Sequence, residues 1–269
     1  MAYKPAINTK VTINTLKKLK ASGEKFVTVA LYDAPMAAMA QHCGIEVVLV
    51  GDSLGMTVLG YESTLPVTME YMLYHIDAVQ RGNTTSVIMG DLPFMSYATS
   101  DQALENSARI LRAGAHIVKM EGGAWLADSV HMLSERGIPV CAHIGLTPQS
   151  VHKFGGFRVQ GRTQEAADAL LADAKTLEQA GAELLLLECV PTSVAETITK
   201  ALSIPTIGIG AGAVTDAQVL VINDILGLTP KPPKFSKNFL QEAGDIPSAL
   251  TQYISDVKNG TFPAPEHTF

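Results

Sequence analysis

The sequence predicts a single α/β domain folded as a closed (β/α)8 barrel, and three observations carry that expectation. Short apolar runs alternate with stretches of helical periodicity, clearly in seven units and faintly in an eighth. No internal linker interrupts the 269 residues. The runs end abruptly in charge: Asp52 after EVVLVG, Asp91 after SVIMG, Lys119 and Glu121 in HIVKMEGG, His143 in VCAHIG and Glu188 after LLLL. Polar groups at the ends of successive parallel strands would share one rim, where barrel enzymes build their active sites. A doubly wound open sheet is the structural rival.

The elements follow in order. A helix around Ile13 to Ala21 precedes the first strand, KFVTVALYD, and is placed to cover the barrel bottom. Pro35 suits a first helical position, and Met36, Met39 and Cys43 follow at helical spacing up to Gly44. VVLVGDS is a second strand, too uniformly apolar to face water on either side. Met69, Met72, Ile76 and Val79 form the next helical stripe. SVIMGD leads to a helix capped by Thr99 or Ser100, and IVKMEG to one ending before Gly137. PVCAHIG, LLLLECV and IPTIGIG supply the fifth to seventh strands. The eighth is placed in VLVINDILG. From Ser236 a tail with Leu250, Ile254 and Val257 on one helical face is expected as an appendage. The domain thus spans 1–269, with 1–24 as an N-terminal helical segment and 236–269 as a C-terminal extension.

Bulk properties narrow the partners. The formal net charge of -6 argues against nucleic acid and anionic membrane surfaces. No apolar stretch approaches the roughly 20 residues of a membrane span. MAYKPAINTK lacks the apolar core of a secretory leader, so a cytoplasmic protein is expected. Cys43, Cys141 and Cys189 match no zinc spacing and read as small buried hydrophobes in a reducing compartment.

The rim residues define the chemistry. Asp52, Asp91, Glu121 and Glu188 would repel one another unless a cation lay among them, and oxygen ligands on rigid strand ends suit Mg²⁺. Lys119 and Glu121 are two apart in a strand and so share a face. An electrostatic clamp on substrate suits Lys119 better than a Schiff base, because nearby acids favour its charged form. Glu188, set against four leucines, is placed as a general base. Ser53 either binds a substrate carboxylate or serves a turn. His143 alone reads as a hydrogen-bonded core histidine. GIGAG at 208–212 lacks the Lys and Ser/Thr of a phosphate loop and reads as a tight barrel turn. KFGGFRVQGR is a candidate lid, with Lys153, Arg158 and Arg162 available to an anionic substrate tail. A metal, a carboxylate base and an anion clamp together describe enolisation of a metal-chelated 2-oxo acid.

GDSLGMTVLG with STLPVT, DLPFMSYAT, VKMEGG, HIGLTPQSV with GGFRVQGR, LLLLECVP and IGIGAG, in that order, resemble the ketopantoate hydroxymethyltransferase family from about Lys25 to Lys237. The resemblance implies a Mg²⁺-dependent biosynthetic barrel that moves a hydroxymethyl group from 5,10-methylenetetrahydrofolate to 3-methyl-2-oxobutanoate, giving 2-dehydropantoate. By position it implies Asp52 and Asp91 as metal ligands that also contact substrate. Glu121 matches a third acid at the metal, directly or through water. Ser53 and Lys119 match substrate-binding positions, His143 a pocket histidine, and Glu188 the proton acceptor. It also implies a homo-oligomer, commonly a decamer. Ala217 and Asn223 depart from residues common in the family, Gly and His, and leave the proposed site untouched. Another Mg²⁺-dependent oxo-acid aldolase or carbon–carbon lyase is the alternative enzyme, and a non-catalytic metabolite-binding barrel the alternative class.

Overall fold

The structure, a computed structural model, describes residues 9–269. Residues 1–8, on which most of the expectation of no leader rests, lie outside the described residues. Eight parallel strands close in chain order: β1 (Phe26–Ala30), β2 (Val47–Val50), β3 (Val87–Asp91), β4 (Ile117–Glu121), β5 (Val140–Gly145), β6 (Leu184–Glu188), β7 (Thr206–Ile209) and β8 (Ala217–Val221), which pairs back onto β1. The open-sheet rival is thereby excluded.

Side-chain alternation along the strands divides the core in two. Phe26, Val47, Val87, Ile117, Cys141 and Leu184, with Leu49, Met89 and Leu186 two further along their strands, pack with one another inside the barrel. Their neighbours Val27, Val48, Ile88, Val118, Ala142 and Leu185 pack outward against the helices. Burial on both faces explains why the strands read as continuous apolar runs. The same period of two carries the lumen face from Val87 and Met89 to Asp91, from Ile117 to Lys119 and Glu121, from Cys141 to His143, and from Leu184 and Leu186 to Glu188.

α1 (Ile13–Ser22) closes the N-terminal end, with Leu16 fully buried among lumen residues. Its start is fixed by a reciprocal cap between Thr12 and Thr15. α2 (Ala34–Cys43) begins at the Asp33 cap with Pro35 in its first turn, as the sequence predicts. After β2 come a short α3 (Leu54–Thr57), which the periodicity does not reveal, and α4 (Met69–Gly82). α5 (Ser100–Arg112) is capped by Thr99. α6 (Ala127–Glu135), α7 (Val151–Phe154), α8 (Gln164–Gln179) and α9 (Thr192–Ala201) complete the ring through β7.

Two features differ from expectation. The eighth strand begins at Ala217, two residues before VLVINDILG, and ends where α10 (Ile222–Ile225) starts. Gln218 hides this strand in the sequence; its side chain is buried and bonded to Gly212 O and Thr215 Oγ1. The tail is not an appendage. After α11 (Leu240–Ala243), α12 (Ile246–Lys258) lies on the barrel, and buried Tyr253 donates to either Thr28 O (3.1 Å) or Gln218 O (3.2 Å). No helix joins β7 to β8, and α12 covers the seam between β8 and β1.

Candidate active site

A cavity of about 470 Å³ opens at the C-terminal ends of the strands. It is lined by Asp52, Ser53, Asp91, Lys119, Glu121, His143 and Glu188, so the structure brings together all the strand-end residues that the sequence singles out. Most of them are lumen-facing strand ends. Asp52 and Ser53 sit in the turn between β2 and α3, beyond Gly51. A Cβ on Gly51 would lie 2.8 Å from Ser53 Oγ and 3.4 Å from Asp91 Oδ2. The Asp91 carboxylate accepts a hydrogen bond from the Asp52 N–H at 3.0 Å.

The charges form a row across four strands. Lys119 Nζ lies 3.0 Å from Asp91 Oδ2 and 3.4 Å from Glu121 Oε1. His143 Nδ1 is 3.3 Å from that same Glu121 oxygen, and its Nε2 faces Glu188 Oε2 at 3.4 Å. All but Glu188 are almost wholly buried. Strand register sets the order: Asp91 pairs with Lys119, Glu121 with His143, and Gly145 with Glu188.

Burial and mutual charge tune these groups. Burial, with repulsion from Glu121 and Asp91, pushes the Asp52 carboxyl well above the usual carboxylate range. Burial also raises Asp91, although Lys119 opposes it. Burial works against the Lys119 ammonium, yet the surrounding acids hold it charged, well above the usual lysine range. Glu121 is buried too, but Lys119 and His143 bring it down to about 2. Burial and Lys119 disfavour protonated His143; the Glu121 and Glu188 carboxylates outweigh them and raise it to about 8.

The donor set suits a hard cation. Asp91 Oδ1 is buried with no hydrogen-bond partner, a carboxylate oxygen left open beside Asp52. Two such acids with room for water and substrate oxygens fit the preference of Mg²⁺ for few protein ligands. Glu121 differs from the simplest form of the expected three-acid set. Its Oε1 faces Lys119 and His143, and its Oε2 accepts the Gln149 N–H at 3.0 Å. Among the described residues, no three His, Cys, Asp or Glu side chains converge as a metal cage.

Sequence reasoning missed three supporting residues. Gln149 Nε2 donates to Asp52 Oδ2 at 2.8 Å and to Leu92 O at 2.9 Å. Tyr97 lies between Gln149 and the Glu121 backbone. The Tyr32 hydroxyl bonds Ser53 Oγ at 2.8 Å. Gln149 lies in HIGLTPQSV, and only its bonds distinguish it from an ordinary loop residue. The basic segment after β5 also differs from expectation. Phe157 and Val159 line the cavity, rather than Lys153, Arg158 or Arg162. The lining lysines away from the row are Lys231 and Lys234, which the C-terminal segment brings in with Phe235 and Phe269.

The family model described as ketopantoate hydroxymethyltransferase matches residues 10–265. The chain belongs to this family. It is 71% identical to a 3-methyl-2-oxobutanoate hydroxymethyltransferase of Saccharophagus degradans over 263 residues, 98% of this chain and 97% of the relative. It is 58% identical to one of Cronobacter sakazakii, over 96% of this chain and 98% of the relative. Among solved structures it resembles phosphonopyruvate hydrolase, with a TM-score of 0.61 at 14% identity over 81% of this chain and 84% of that one. It also resembles 2,3-dimethylmalate lyase of the PEP mutase/isocitrate lyase superfamily, with a TM-score of 0.57 at 16% identity over 77% and 80% of the two chains. These structural likenesses concern the fold alone.

Proposed function

We propose that this chain transfers a hydroxymethyl group from 5,10-methylenetetrahydrofolate to 3-methyl-2-oxobutanoate, giving 2-dehydropantoate for pantothenate biosynthesis. The observation that carries the proposal is the row Asp91–Lys119–Glu121–His143–Glu188, with Asp52 beside it, in one cavity of a chain from this family. A phosphonopyruvate hydrolase of the same fold is known with oxalate and Mg⁺⁺, which supports Mg²⁺ beside a small oxo-acid-like ligand.

Asp52 and Asp91 would hold the ion, and Glu121 would reach it through water while its other contacts stay with Lys119, His143 and Gln149. Bound Mg²⁺ would supply Lewis-acid polarisation to the keto and carboxylate oxygens of the oxo acid. Ser53, its hydroxyl oriented by Tyr32, binds the substrate carboxylate. Lys119 faces the negative charge that develops on the oxygens during proton removal. Glu188 takes the C3 proton, and His143, whose Nε2 faces the Glu188 carboxylate at 3.4 Å, holds it in place. The carbanionic C3 then attacks the methylene carbon of the folate as its bond to one ring nitrogen breaks; a water molecule then displaces the other nitrogen and supplies the hydroxyl, and tetrahydrofolate leaves with the Glu188 proton and one water proton on the two freed nitrogens.

The aldolase or lyase alternative has only the shared fold in its favour, whereas relatives at 71% and 58% identity carry the transferase name. The deciding assay supplies Mg²⁺, 3-methyl-2-oxobutanoate, tetrahydrofolate and formaldehyde and looks for 2-dehydropantoate by mass spectrometry. Product that forms only with all components supports the transferase; cleavage of a longer oxo acid without folate supports the lyase. The same reading takes the chain as a cytoplasmic homo-oligomer, a decamer by family resemblance, which sedimentation velocity tests. No helix among the described residues is long and apolar enough to cross a membrane.

A further inference from the structure

One acid in the cavity has no place in that chemistry. Asp224, in α10 just past β8, lines the cavity and is only 6% exposed. The Thr229 hydroxyl donates to its Oδ1. Among the described residues, no hydrogen bond reaches Oδ2 and no cation pairs with Asp224. Burial raises its carboxyl above the usual range, with the Thr229 bond working against it. A buried carboxylate left half-served beside a cavity calls for a ligand that donates.

The oxo acid cannot be that ligand. Its carboxylate and keto oxygens are acceptors, its remaining atoms are apolar, and a second carboxylate would repel it. The tetrahydropteridine ring is the opposite case. Its 2-amino group and adjacent N3–H present two parallel donors, the pattern that a guanidinium offers a carboxylate. The position fits as well. Asp224 lies on the β8 side of the rim, β8 pairs with β1, and Tyr32 just past β1 bonds Ser53 beside Asp52. Apolar Val221, Phe235 and Phe269 line the cavity on the C-terminal side. Exposed Lys231, further along the same segment, meets the cavity mouth where the glutamate tail of a folate would emerge.

We infer that Asp224 is the residue that recognises the 2-amino and N3–H edge of the tetrahydrofolate pteridine. The inference rests on the folate-dependent reading above. The test compares equilibrium binding of tetrahydrofolate and of its 2-desamino analogue, with Mg²⁺ and 3-methyl-2-oxobutanoate present. The unsubstituted protein should prefer tetrahydrofolate by about 10- to 100-fold, the range of a hydrogen bond to a charged group. Asp224→Asn, isosteric but presenting an amide to the ring donors, should lose that preference. Equal binding of the two ligands by the unsubstituted protein overturns the assignment, and this arm needs no variant to fold. So does an Asp224→Asn protein that keeps the preference. Failure of the unsubstituted protein to bind tetrahydrofolate, or formation of 2-dehydropantoate without it, overturns the functional reading itself.

Discussion

The two ends of the barrel treat charge in opposite ways. At the N-terminal end, polar groups are matched. Lys20 Nζ lies 2.8 Å from Asp216 Oδ2, and that oxygen also accepts the Thr206 N–H at 2.8 Å. Lys25 donates to Ala213 O and Thr215 O. Glu46 accepts the Val27 N–H at 2.9 Å and pairs with Lys258. His116 Nδ1 accepts the Ile88 N–H at 2.9 Å. At the C-terminal rim, Asp52, Asp91 and Glu121 crowd around Lys119, and Asp91 Oδ1 has no donor. Asp224 has a single one. The lesson is that one end is organised to hold the barrel shut, and the other keeps uncompensated charge in reserve for ligands.

The contrast can be broken from either end. The largest effect belongs to the rim. Asp91→Asn removes one of two proposed ion-holding charges and should lower kcat/KM on the order of a thousandfold, with raised Mg²⁺ demand, at nearly unchanged melting temperature. Steady-state kinetics over a Mg²⁺ series, beside a thermal melt, checks this. Wild-type kinetics would take Asp91 out of the site.

At the other end, Leu16→Ala empties a fully buried position where α1 meets the lumen. It should cost about 2–5 kcal/mol in urea unfolding while leaving KM for the oxo acid alone. Lys20→Met should cost less, about 1 kcal/mol, because the Thr206 N–H and hydroxyl still serve Asp216. Loss of activity larger than loss of stability in either variant would erase the division between the ends.

The smallest effect is a pH dependence at the base. Burial, with a contribution from Lys10, lowers His116 below the ordinary histidine value. Below pH 6.5 the unfolded chain therefore binds a proton that the folded chain resists, and stability falls with pH there. His116→Asn keeps an acceptor for Ile88 and should make melting between pH 7.5 and 5.5 less pH-sensitive. An unchanged slope would place that sensitivity elsewhere.

These ends also differ in how plainly the sequence announces them. The rim was legible because Asp91, Lys119, Glu121, His143 and Glu188 interrupt apolar runs at the strand period. α12 was legible as a helix from Leu250, Ile254 and Val257, but its packing was not, since Tyr253 reaches across more than 200 residues to the Thr28 carbonyl. Gln149 and Asp224 were illegible for the same reason: each is an ordinary polar loop or helix-start residue until the chain closes the cavity around it. The start of β8 was lost because Gln218 is polar, buried and satisfied by its own turn.

The central claim is that the rim removes a proton from C3 of the oxo acid through Glu188. The most direct measurement is exchange of that proton into deuterated water, followed by NMR on 3-methyl-2-oxobutanoate with Mg²⁺ and no folate. The native chain should catalyse exchange, and Glu188→Gln should retain substrate binding while exchange falls about 10²–10⁴-fold. Exchange at the native rate in Glu188→Gln would contradict the account.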